Sequence, residues 1–75
     1  MYRYEITDEN GQSIVCGECD HHNAETARVI IENEIVEPED TCTEIIRDKQ
    51  EPNCWCYDAT IEHVDSIESV TITIK

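Results

Sequence analysis

The chain has 75 residues, room for one domain spanning 1–75 and one small core. Eighteen Asp and Glu against five Lys and Arg give a formal charge of −13. That charge disfavours direct contact with nucleic acid or an anionic membrane and favours a basic protein surface, although it serves equally as a solvating coat. Met1-Tyr2-Arg3-Tyr4-Glu5 has neither the basic nor the apolar region of a secretory signal, and no apolar run approaches the roughly 20 residues of a membrane helix, so a cytoplasmic location is expected.

Tyr2 to Thr7 alternates apolar and polar residues, the period of a half-buried strand. Asp8-Glu9-Asn10-Gly11 follows, and an Asn-Gly pair between alternating segments predicts a hairpin into a second strand, Gln12 to Cys16. That strand is expected to end in a knuckle-like turn where Gly17 relaxes the backbone between Cys16 and Cys19. Asp20 or Asn23 then caps a helix over about Ala24 to Val36, with Ala24, Ala27, Ile30, Ile31 and Ile35 near helical spacing. Pro38 terminates it.

Thr41 to Arg47 reads as a strand, with a short helix as the alternative. The polar stretch Asp48 to Asn53 suggests a loop leading into a strand over Cys54–Thr60. Ile61 to Ser66 fits either a strand end or one helical turn, and Ser69 to Ile74 closes the chain as an alternating strand. The expected class is α+β, a small antiparallel sheet in ββαβββ order with one helix on one face. With no phenylalanine, its core must come from isoleucine and valine, including Ile6, Ile14, Val15, Val29, Ile30, Ile31, Ile35, Ile45, Ile46, Ile61, Val64, Val70, Ile72 and Ile74.

Four of the five cysteines fall in two tight pairs, Cys16-x-x-Cys19 and Cys54-x-Cys56. Four thiolates suit a closed tetrahedral Zn2+ site, and structural zinc supplies on the order of 10 kcal/mol of apparent binding free energy to folding. A structural Zn2+ held by Cys16, Cys19, Cys54 and Cys56 is therefore expected to staple the fold. His21, His22 and Cys42 are reserve ligands. A small thiol redox protein is the third possibility, weakened because Glu18 and Asp20 beside Cys19 disfavour a thiolate. His63 is isolated and reads as a surface or half-buried residue. Two glycines exclude a phosphate-cradling loop, and no serine sits in a nucleophile pattern, so an enzyme is not expected.

The densest acidic run is Glu32, Glu34, Glu37, Glu39, Asp40 and Glu44. Acid at a helix C-terminus opposes the macrodipole, a placement that invites a functional reading as a partner-binding surface. A second group, Asp58, Glu62, Asp65 and Glu68, lies further on. Carboxylates on a rigid body mimic the phosphates of a nucleic-acid strand and compete for an Arg- and Lys-lined groove.

In its small size, acidity and cysteine pairs (Cys16, Cys19, Cys54 and Cys56), the chain resembles a phage anti-CRISPR protein, in particular a zinc-containing inhibitor of type II systems. The resemblance implies binding to an RNA-guided effector nuclease and a block of guide loading, target-DNA loading or cleavage. The alternative is a zinc-ribbon-like adaptor or structural subunit that docks a partner through its sheet edge or Trp55.

Overall fold

The computed structural model describes residues 1–42 and 45–75, and of 47–51 the backbone alone. The described elements are β1 (Tyr2–Thr7), β2 (Ser13–Cys19), α1 (Ala24–Glu34), β3 (Thr41–Cys42), β4 (Ile46–Glu51), β5 (Cys54–Glu62) and β6 (Ile67–Ile74). The α+β class is as expected, but the order is ββαββββ rather than ββαβββ. The strands form one antiparallel sheet, β2-β1-β6-β5-β3, with β4 beside β3 along the same edge of β5. The first and last strands thus pair at the sheet's centre, extended by reciprocal backbone bonds between Arg3 and Lys75, both 2.9 Å.

The first hairpin is wider than the Asn-Gly pair alone predicts. Asp8 organises it, because its Oδ1 accepts from the amides of Asn10 (2.9 Å) and Gln12 (3.0 Å) while Gly11 takes φ +82. β2 then runs on through Gly17 to Cys19, so there is no knuckle at the first cysteine pair. Gly17 lies opposite Tyr4, whose ring occupies the space a side chain would need. A Cβ there would fall 2.6 Å from the Tyr4 hydroxyl oxygen and 2.8 Å from Cζ. Gly17→Ala is expected to swing Tyr4 off the sheet and break its hydrogen bond to Glu34 (3.4 Å), at a cost of about 1 kcal/mol in urea denaturation.

Asn23, not Asp20, caps the helix, with its Oδ1 accepting from Thr26 N at 2.8 Å. The helix ends at Glu34, two residues earlier than expected, with Ile35 as its C-cap. Pro38 pushes Glu37 away from helical angles, and the segment turns instead, Asp40 N donating to Glu37 O at 3.0 Å.

The expected strand Thr41 to Arg47 is two short strands; residues 43 and 44 between them lie outside the described residues. The expected loop Asp48–Asn53 is mostly strand, because β5 offers its backbone groups as partners and an edge strand tolerates polar residues. Only Pro52-Asn53 turns, with Asn53 at φ +58. β5 runs to Glu62, so Ile61 continues the strand rather than starting a helical turn.

The helix covers one face of the sheet. Ile6, Tyr57, Ala59, Ile61, Val70, Ile72 and Ile74 meet Ala27 and Ile31 in the buried core. Ile14, Val29, Ile46 and Val64, expected inside, are exposed. Ile14 fails by parity, since Val15, Gly17 and Cys19 take the helix side of β2. No described helix is long and apolar enough to cross a membrane.

Candidate acidic docking surface

The register of β3 on β5 decides what gathers at one end of the molecule. Thr41 pairs with Glu62, so the next residues outward, Asp40 and His63, come face to face. His63 Nδ1 lies 2.9 Å from Asp40 Oδ2, and its Nε2 lies 3.1 Å from Glu68 Oε1. A neutral imidazole has one N–H, and a carboxylate only accepts, so imidazolium alone satisfies both contacts. The hydrogen bond to Glu68, then that to Asp40, holds the His63 pKa above its ordinary 6.5.

This latch ties the segment after α1 to the β5–β6 turn, which His63 N closes on Ser66 O at 2.8 Å. A folded-state pKa above the unfolded value gives stability that is complete below about pH 6.5 and is lost as pH rises through the raised value. The native chain is expected to lose urea midpoint as pH rises above about 6.5, and His63→Gln is expected to flatten that fall. An equal pH dependence in the variant would assign the effect to other groups.

The latch also assembles a surface. Ile35, Glu37, Glu39, Asp40, His63 and Asp65 line a shallow groove between the two segments. Glu37, Glu39 and Asp65 are exposed, and Val64 on the adjoining turn and Ile67 at the start of β6 are 84% and 68% exposed. The two acidic groups of the sequence therefore meet here in part. Of the expected partner-binding residues, Glu32 and Glu34 are exposed on α1, where Glu32 pairs with Arg28 at 3.6 Å. The Asp40 side chain is 5% exposed and committed to His63, so it shapes the surface without presenting its charge. Glu44 lies outside the described residues. Asp58 stands elsewhere, accepting from the Thr71 hydroxyl at 2.8 Å.

The cysteines are not gathered into one site. Residues three apart on a strand face opposite ways, so Cys16 points away from the helix and Cys19 towards it. Cys56 shares the face of Cys16, but the register Cys16–Glu5–Thr73–Cys56 sets them three strands apart, about 14 Å at the usual spacing. Thiolates on one zinc ion stand about 4 Å from each other. Among the described residues no three His, Cys, Asp or Glu side chains converge as metal ligands, and no zinc staple is shown. Burial pushes the thiols of Cys19 and Cys42 up, and Cys19 Sγ donates to His21 O at 3.2 Å.

The reserve ligand His22 is engaged otherwise. Its ring stacks on Trp55, with centroids 3.8 Å apart and planes 11° apart, and Tyr2 meets both edge-on. Tyr57 donates to His22 O at 2.7 Å, fixing the β2–α1 connection over the sheet. Trp55 is thereby half-buried against its own chain.

No family model matches this chain, and no curated protein or solved structure matches it.

Proposed function

We propose that the chain is an acidic inhibitory binding protein, which docks the carboxylates around Glu37, Glu39 and Asp65 on a basic surface of a nucleic-acid-handling protein. In its finer form the partner is a type II CRISPR RNA-guided nuclease, and occupation of its cation-lined groove blocks guide or target-DNA loading. The observation that carries the reading is the convergence of exposed acid from two chain segments around one latch, on a molecule of charge −13.

The physics of such docking is long-range steering followed by short-range fit. A field of one sign raises the association rate, and salt screens it within a Debye length of about 8 Å at physiological ionic strength. Val64, which lines the groove and is exposed, then adds apolar contact beside the carboxylates. Exposed Val64 also supports the second reading, an adaptor whose docking is mainly apolar. Zinc does not enter either reading.

Titration against a type II effector nuclease at several salt concentrations tests the proposal. Binding that is tight at low salt and weakens as salt rises is the expected result; no binding at low salt overturns the CRISPR form. Val64→Ser separates the two readings, since it abolishes apolar docking but leaves the salt dependence of an electrostatic one.

A further inference from the structure

The Cys54–Cys56 pair carries an inference independent of the docking surface. Both residues lie on β5, two apart, and their sulfurs are 3.9 Å from each other. Tyr57, Ala59 and Ile61 alternate towards the helix, which puts Cys54, Cys56 and Asp58 together on the opposite, helix-free face. Two thiolates bound at about 2.3 Å to one tetrahedral ion are separated by about 3.8 Å. The strand itself therefore sets the bite of a two-sulfur chelate before any ion arrives.

In the strand register Glu51 stands beside Cys54 and Lys49 beside Cys56 on one side, and Thr73 beside Cys56 on the other. Thr73 Oγ1 lies 3.7 Å from Cys56 Sγ, where its hydroxyl reaches the sulfur once the thiol proton has gone. Glu5 is the register neighbour of Thr73, on the same face, and the whole chain is strongly anionic. We propose that Cys54 and Cys56 form a two-thiolate site for a soft, closed-shell divalent cation such as Zn2+ or Cd2+, without Cys16 or Cys19. Each thiol releases its proton to solvent as its sulfur binds. Among the described residues no third side chain converges on the pair, and two coordination positions are left for water or other donors. The site is an open chelate on a finished fold rather than a closed staple within it.

Titration of the reduced full chain with Cd2+ tests this. A sulfur-to-cadmium absorption band saturating near one equivalent is expected. Cys54→Ser and Cys56→Ser should each lower the affinity at least tenfold, whereas Cys16→Ser and Cys19→Ser should leave it unchanged. Alkylation of the native chain with and without Cd2+, read by mass spectrometry, needs no variant: Cys54 and Cys56 should be protected and Cys16 should not. No band at one equivalent, a band indifferent to Cys56→Ser, or protection centred on Cys16 and Cys19 would overturn the site. Because none of these residues belongs to the acidic surface, its failure leaves the docking proposal standing.

Discussion

Ile72→Ala is expected to unfold most of the chain at room temperature. Ile72 is fully buried in the central pair of the sheet, opposite Ile6 of β1 on one side and Tyr57 of β5 on the other. Removing a buried isoleucine to alanine costs about 2–5 kcal/mol, the lost transfer energy plus the cavity left behind. A core of this size supplies only about 3–5 kcal/mol of net stability, so the two quantities are comparable. Few neighbours are free to collapse into the space, because β1 and β6 are held by the closure of the chain's two ends. Circular dichroism with a urea titration would read the loss directly. Ile46→Ala is the control: Ile46 is 62% exposed, and its truncation should fall within about 0.5 kcal/mol of the native chain. Equal effects at both positions would overturn the assignment of the core.

The combined change Glu37→Lys, Glu39→Lys and Asp65→Lys is expected to weaken association with a basic partner by on the order of tenfold to hundredfold at low salt. Each reversal changes the charge by two, taking the chain from −13 to −7. The fold should survive, and gain slightly, because less like charge is confined at the groove. Asp40 and Glu68 are left in place so that the His63 latch persists. Reversing Glu5, Glu18 and Asp20, exposed on β1, β2 and the connection after β2, also brings the chain to −7 and provides the control for net charge alone. An affinity lost equally in both sets would reduce the surface to a diffuse charge effect. Calorimetry or surface resonance across a salt series distinguishes these outcomes, since steering acts chiefly on the association rate.

The local pattern carried the elements wherever neighbours agreed with it. The alternation of β1 and β6, the Asn23 cap and the apolar stripe through Ala27 and Ile31 follow from short-range spacing, and each is where the residues place it. Residues 48–51, expected as loop, are strand because β5 offers its backbone as partner to a polar sequence with little strand propensity of its own. The cysteine spacing misled for a related reason. Cys-x-x-Cys implies a shared ion only if the backbone turns between the two, and pairing with β1 keeps it extended instead.

The candidate surface divides in the same way. That the chain is acidic, that the acid crowds after the helix, and that Cys54 and Cys56 would share a face on a strand are all consequences of order and parity. His63 gave no signal, because its partners lie in other segments and only the β3–β5 register brings Asp40 to it. Sequence alone therefore determined the charge, the helix and the alternating strands, which depend on neighbours along the chain. Tertiary structure decided which carboxylates are displayed, which one is withdrawn into the latch, and which sulfurs can meet, because those outcomes depend on register between strands distant in sequence.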